Sequence, residues 1–341
     1  MISFECDYIT GAHPDILKRL YETNLEPAPG YGADPYTASA KEKIRAACAC
    51  PDAEICFLTG GTQTNLTAIS SVLSECEGVI AADSGHIGTH EAGAIEFTGH
   101  KVLTVPGVDG KVTVESVRAL LETFYGDAHR EHEVFPGMVY ISFPTESGTL
   151  YSKKELETLS ALCGEYGIPL YLDGARLGYG LMSPECDLTL PDIARLCDLF
   201  YIGGTKVGAL CGEALVFTKN NMPDHFLNII KRRGALVAKG RLLGVQFDTL
   251  FTDDLYFRIG EHAIRMAEKL KQLLKEKGCR FLLDSATNQQ FIILGDEEYR
   301  RLSRFIRVDF WEKTDADHTA VRFTTCWSTT DADLEYLASV L

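Results

Sequence analysis

The chain has 341 residues, and its 33 lysines and arginines against 48 aspartates and glutamates leave a formal net charge of −15. That sign argues against nucleic-acid binding, which draws its affinity from clustered cations. With 45% hydrophobic and 24% charged residues the composition is that of a folded globular protein, and the length suits about two domains with a cleft between them. An acidic enzyme acting on a small molecule fits this profile.

No apolar run approaches the roughly 20 residues that cross a bilayer, and the N-terminal stretch from Met1 to Thr10 lacks a basic region followed by an apolar one. The expectation is a soluble, cytoplasmic protein with no membrane partner. The 11 cysteines are scattered from Cys6 to Cys326, with Cys48 and Cys50 as the only tight pair. Neither a C-x-x-C zinc spacing nor a disulfide framework emerges, so no metal site is expected and the thiols read as reduced.

In chain order, Glu54 to Leu58 reads as a short strand, and Thr59-Gly60-Gly61-Thr62 turns it into a helix with Leu66, Ile69, Val72 and Leu73 on its apolar face. Strands follow at 78–82, 102–105 and 138–143, with a helix at 114–124 before the last of these. The helix after Ser152 carries Leu156, Leu159, Leu162, Cys163 and Tyr166 on one stripe, and Gly167 stops it. Ile168 to Leu172 is a strand ending at Asp173, and residues 198–202 form another ending at Gly203-Gly204-Thr205-Lys206. This strand-then-helix rhythm predicts an α/β fold with a mostly parallel sheet between helices. After about residue 240 come a long amphipathic helix at 256–277, strands around Phe281, at 291–294 and at 321–325, and a terminal helix, the pattern of a smaller α+β domain. The expected division is an N-terminal arm over 1–28, a large domain over 29–240 and a small domain over 241–341.

Polar chemistry gathers where the strands end. Gly60-Gly61-Thr62 at the mouth of a helix offers free backbone N–H groups, a hydroxyl and the positive helix end, which suit a phosphate monoester; glycines there also simply make the turn. The spacing is neither a P-loop nor a dinucleotide fingerprint. Asp173 lies at the sheet edge where α/β proteins bind ligands, although an isolated Asp there also serves as a helix cap. Lys206 emerges from a glycine turn, where desolvation lowers an amine pKa and frees a nucleophile, although a lone lysine is most often a surface cation. Together a lysine for an imine, a carboxylate for a pyridinium and a cradle for a phosphate are the three parts that hold pyridoxal 5′-phosphate. His86 and His90 have the spacing of two zinc ligands on a helix, but the glycine between them and the missing third ligand count against that reading.

The residues closely resemble the threonine aldolase and aromatic amino acid β-eliminating lyase family of fold type I pyridoxal-phosphate enzymes. The matching segments, in family order along the chain, are AlaProGlyTyrGlyAlaAspProTyr at 28–36, GlyGlyThrGlnThrAsn at 60–65, HisIleGlyThrHisGluAlaGly at 86–93, SerGlyThrLeuTyrSer at 147–152, AspGlyAlaArgLeu at 173–177 and GlyGlyThrLysValGly at 203–208. The resemblance implies that Lys206 carries the cofactor as a Schiff base, Asp173 pairs with the pyridine nitrogen and His86 stacks on the ring. Gly61, Thr62 and Thr205 would hold the phosphate, and Lys239 would reach a neighbouring subunit's phosphate. Arg176 would lie near cofactor and substrate, Arg322 in AlaValArgPheThr would grip the substrate α-carboxylate, and Tyr31 would stand on the substrate side.

Two positions depart from the family pattern. Where many members carry an AsnThrHisAsn run, this chain has Pro144-Thr145-Glu146-Ser147 and so presents Glu146 to the substrate. Where an ArgSerAsp-type N-terminus supplies a substrate-contacting serine, this chain reads Glu5-Cys6-Asp7, which makes Cys6 the substrate-side residue. The implied reaction is retro-aldol cleavage of L-threonine or L-allo-threonine to glycine and acetaldehyde, with His86, a water near it or Glu146 taking the hydroxyl proton. β-Elimination and racemisation are the alternatives within the same chemistry, and a binding protein without turnover is the alternative outside it. The family's usual assembly is a homotetramer, a dimer of dimers.

Overall fold

The computed structural model of the protein describes residues 2–341. Its strands in chain order are β1 (Ile2–Ser3), β2 (Glu54–Leu58), β3 (Glu77–Ala82), β4 (Val102–Val105), β5 (Phe135–Ser142), β6 (Leu170–Asp173), β7 (Leu199–Gly203), β8 (Glu213–Phe217), β9 (Arg280–Phe281), β10 (Gln289–Gly295), β11 (Ile306–Arg307), β12 (Asp309–Lys313) and β13 (His318–Thr324). The main sheet has seven strands in the order β2-β8-β7-β6-β5-β3-β4. Its pairs are parallel from β7 through to β4, and only β8 runs antiparallel to its neighbours β7 and β2.

Strands β5 to β8 are almost continuously buried, which is why they read as apolar runs rather than alternating patterns: helices cover both faces. One face packs on the helix Gly61–Val72 through Ala68 and Ile69. The other packs on the helices Val114–Gly126, Lys153–Tyr166 and Leu190–Leu196 through Val117, Leu121, Leu156, Leu159 and Ile193. The expected α/β architecture of the fold type I class is therefore observed. Strand β8 escaped the sequence reading because its five residues follow the Lys206 turn without a helix between, so the strand-then-helix rhythm breaks there. The helices Pro14–Thr23 and Pro35–Ala47 were also unread; each has proline in its first turn and a His13 or Asp34 cap.

The C-terminal part begins with the 22-residue helix Leu255–Glu276 and carries a four-stranded antiparallel sheet in the order β12-β13-β10-β9. Met266, Leu270 and Leu274 of the helix pack on Ile292, Leu294, Val321 and Phe323 of the sheet. Phe4 joins this cluster, because β1 pairs in parallel with β11. The N-terminal segment is thereby pinned to the far end of the chain, and the residues after it turn back toward the main sheet. Among the described residues no helix is long and apolar enough to cross a membrane.

Candidate active site

The carboxyl ends of β2, β3, β5, β6 and β7 and the start of β8 open on one edge of the main sheet. Two close backbone approaches fix the chemistry there. A Cβ on Gly174 would lie 2.0 Å from the Tyr201 carbonyl oxygen, and one on Gly203 would lie 2.3 Å from the Ala175 carbonyl oxygen. The turn after Asp173 and the turn before Lys206 therefore press together only because both carry glycine, and a hydrogen bond from Gly203 N–H to the Gly174 carbonyl (2.9 Å) locks them.

Asp173 is buried, and its Oδ2 accepts from the Tyr140 hydroxyl at 2.6 Å and from Asn65 Nδ2 at 2.9 Å. Burial alone would raise its pKa, but the charge of His86 and the hydrogen bonds from Tyr140, Tyr201 and Asn65 outweigh burial and hold it below the ordinary carboxylate value. Asn65 also donates to Glu91 Oε1 at 2.7 Å, the same oxygen that lies 2.7 Å from His86 Nδ1. Burial lowers the His86 pKa, yet the Glu91 hydrogen bond and the Asp173 charge together leave it raised. One network therefore fixes both the carboxylate and the imidazole. Lys206 responds in the opposite direction: burial and the neighbouring Arg176 charge pull its pKa down against the pull of Asp7 and Asp173.

Glu146 accepts from the Ser142 hydroxyl at 2.6 Å and from the His86 backbone N–H at 3.1 Å through Oε1, while its Oε2 is buried without a partner. Burial pushes its pKa up, against the Ser142 hydrogen bond. Arg176 is gripped by Asp7 through Nε at 2.7 Å and Nη2 at 3.1 Å. Arg322 reaches Gln289 Oε1 at 2.9 Å and Asp309 Oδ2 at 2.6 Å, its guanidinium carbon lies 5.4 Å from the Trp311 ring centre, and its buried Nε has no partner.

These groups meet in one cavity. Gly61, Thr62, His86, Glu146, Asp173, Arg176, Thr205 and Lys206 line a space of about 290 Å³. An outer space of about 570 Å³ shares His86, Glu146, Arg176 and Lys206 with it and is completed by Arg322, Trp311 and Asp309. Three expected residues lie elsewhere in the subunit. Cys6 does not line either space; the turn after β1 instead aims Asp7 at Arg176 and places the Tyr8 ring 6.0 Å from Lys206 Nζ. Tyr31 and Lys239 are exposed on a separate face, drawn together by a Tyr31 N–H bond to the Ala238 carbonyl at 3.0 Å. The sequence reading also missed Asp7, Tyr8, Tyr140, Tyr201 and Glu213. Asn65 and Glu91 stood inside the matched segments, where an amide and a carboxylate amid small and apolar residues are the visible signal.

The fold is shared with a Thermus thermophilus aspartate aminotransferase variant, which superposes with a TM-score of 0.70 over 100% of this chain and 92% of that one, at 15% identity. A threonine aldolase from Leishmania major is similar at 44% identity with a TM-score of 0.96, covering 100% of this chain and 98% of its own. A low specificity L-threonine aldolase from Pseudomonas aeruginosa is 29% identical over 97% of this chain and 94% of its own length. Residues 3–297 match the β-eliminating lyase family, and the chain belongs to that family of pyridoxal-phosphate-dependent lyases.

Proposed function

We propose that the protein binds pyridoxal 5′-phosphate and cleaves β-hydroxy-α-amino acids, with L-threonine or L-allo-threonine as reference substrates, to glycine and an aldehyde. The observation that carries this reading is the convergence of the Lys206 amine, the Asp173 carboxylate and the Gly60-Gly61-Thr62 helix start around one cavity. They complement the aldehyde, ring nitrogen and phosphate of the cofactor. The fit extends to the backbone: a Cβ on Gly61 would come 3.1 Å from the Tyr201 hydroxyl, so glycine leaves the helix start open.

When bound, the cofactor supplies an electron sink for the bond broken at Cα. Lys206, whose amine pKa is lowered by burial and the neighbouring Arg176 charge, would carry the cofactor aldehyde. Asp173, kept ionised by its lowered pKa and held in place by Tyr140 and Asn65, would pair with the ring nitrogen and favour its protonated form. His86, fixed by Glu91, would stack on the cofactor ring. Arg322 would take the substrate carboxylate through its unpartnered Nε and through Nη2, displacing Asp309 from the latter, which orients the Cα–Cβ bond for cleavage. Glu146 Oε2, without a partner at the cavity wall, accepts the β-hydroxyl proton. Gly61, Thr62 and Thr205 would hold the phosphate, and in a homotetramer Tyr31 and Lys239 of each subunit would serve a neighbour's cavity. Eleven free thiols support a reducing, cytoplasmic setting.

The test is aldehyde release from L-threonine and L-allo-threonine by cofactor-saturated protein, with Lys206→Ala as control. Aldehyde formation that disappears in the variant, together with its borohydride-fixed cofactor, is expected. 2-Oxobutyrate and ammonia in place of aldehyde and glycine would overturn the retro-aldol assignment in favour of elimination.

A further inference from the structure

Glu213 has no part in the reaction just described, yet it lines the inner cavity together with Thr205, Gly60, Gly61 and Thr62. As the first residue of β8 it is registered between Leu58 of β2 and Gly203 of β7, and it is 4% exposed. Its Oε2 accepts the Gly204 N–H at 3.0 Å and its Oε1 accepts the Thr205 hydroxyl at 2.7 Å. The Thr205 hydroxyl in turn accepts the Gly212 N–H at 3.0 Å. The carboxyl therefore holds two donors on the side of the cavity that the cofactor reading gives to the phosphate. A carboxylate ion and a phosphate dianion enclosed together repel strongly, and the less acidic of the two is the one that takes a proton.

We propose that Glu213 takes up one proton from solvent when a phosphate-bearing cofactor enters this cavity, so that the anion binds beside a neutral carboxyl. The inference rests on the cofactor reading and adds a positioning residue to it. Its surroundings favour the step. Burial has already pushed the Glu213 carboxyl up to about 7, against the Thr205 and Gly204 hydrogen bonds and the Lys206 charge. The titratable groups that act on it are Lys206, Asp173 and the hydroxyls of Tyr171, Tyr201 and Tyr256. Lys206 is the one cation among them, and the three tyrosines are held protonated by burial, so an arriving anion finds Glu213 as the group nearest its titration point.

The experiment uses pyridoxamine 5′-phosphate, which carries the phosphate and forms no imine with Lys206. Its binding to the cofactor-free wild type and to Glu213→Gln is measured by calorimetry at pH 6 and pH 8, each in two buffers of different ionisation enthalpy. Gln keeps an acceptor for Gly204, and the Thr205 hydroxyl can reverse to meet the amide; an unchanged circular dichroism spectrum verifies the fold. With a titration point of about 7, roughly one-tenth of Glu213 is protonated at pH 8. The wild type should then take up about 0.9 proton more than the variant and lose about tenfold more affinity between pH 6 and pH 8. Pyridoxamine, without the phosphate, should show no such difference. Equal proton uptake by the two proteins with normal binding would overturn the role of Glu213 alone. No binding by the wild type would overturn the cofactor reading and this inference together.

Discussion

Replacing Asp7 by Asn strips the charge from an ion pair that joins three parts of the chain. Asp7 lies just beyond β1, Arg176 follows the Asp173 turn of the main sheet, and Asn288, which donates to Asp7 Oδ2 at 3.0 Å, precedes β10 of the smaller sheet. The Asp7 and Arg176 side chains are 0% and 11% exposed. Removing one partner of such a buried pair leaves the other uncompensated and costs about 3–5 kcal/mol. At ~2.1 cal/mol/K of unfolding entropy per residue, 341 residues give roughly 0.7 kcal/mol/K, so the loss lowers the melting temperature by about 4–7 °C. Unfolding of the cofactor-free protein at pH 7, followed by circular dichroism, reads this directly. The pH dependence has a definite sign. Burial works to raise the Asp7 pKa, but the Arg176 and Lys206 charges and the hydrogen bonds from Arg176 and Asn288 leave it below its ordinary value of 3.8. The stabilisation is then fully present above that ordinary value and is lost as pH falls through the lowered one. The gap between wild type and variant should be widest near neutrality and close below about pH 4. A loss under about 1 kcal/mol at pH 7, the worth of an exposed pair, would refute the reasoning, as would a gap that widens in acid.

Glu146→Gln should lower kcat by about 10²–10⁴-fold and abolish the acid limb of the wild-type kcat/KM profile. That limb should lie above the ordinary carboxylate range because burial raises the Glu146 pKa. Asp309→Asn should lower KM for threonine several-fold with kcat nearly unchanged, because the carboxylate 2.6 Å from Arg322 Nη2 competes with that of the substrate; steady-state kinetics reads the split, and a raised KM would count against it. Tyr140→Phe removes the 2.6 Å hydrogen bond to Asp173, a charged contact worth about 1.5–3 kcal/mol, and should cost about 10- to 100-fold in kcat. Thiol titration of the native protein should modify exposed Cys76 first and spare buried Cys48, Cys163 and Cys197 until denaturation, since burial raises all three buried thiols, Cys163 to about 12.

What the sequence reveals and what it hides divide along physical lines. Six of the seven strands of the main sheet were legible because each is a short apolar run closed by a glycine, a proline or a polar residue, and the residues at their carboxyl ends were legible because that edge is where polar groups interrupt apolar runs. Gly174 and Gly203 show the limit: both stood inside recognisable segments, but their use, letting two turns touch, depends on contacts between segments far apart in the chain. Tyr140 and Tyr201 gave no signal at all. Each lies in a fully buried strand where tyrosine reads as one more large core residue, and only the fold turns its hydroxyl toward Asp173. Asp7 was passed over for Cys6 beside it, since a segment match carries position but not direction, and the bend after β1 decides which side chain points inward.

The charge pattern of the cavity gives its two arginines different surroundings. In a chain with a net charge of −15, Arg176, Lys206 and Arg322 gather at one site, and each needs compensation once water is excluded. Arg176 has the Nε and Nη2 edge of its fork filled by both oxygens of Asp7, whose side chain is wholly buried. A substrate carboxylate would have to displace that pair and leave Asp7 uncompensated. Arg322 offers the opposite case. Its partner Asp309 is 39% exposed and uses only one oxygen, while the adjacent Nε is buried with nothing to bind. An unfilled donor in a buried guanidinium is costly, and an arriving carboxylate removes that cost while Asp309 swings into solvent at little loss. Trp311 and Gln289 hold the guanidinium in place through the exchange. The same cation type therefore stands in two settings: Arg176 fastens the N-terminal segment over the cavity, and Arg322 keeps an unfilled donor, which supports the proposal that it takes the substrate carboxylate.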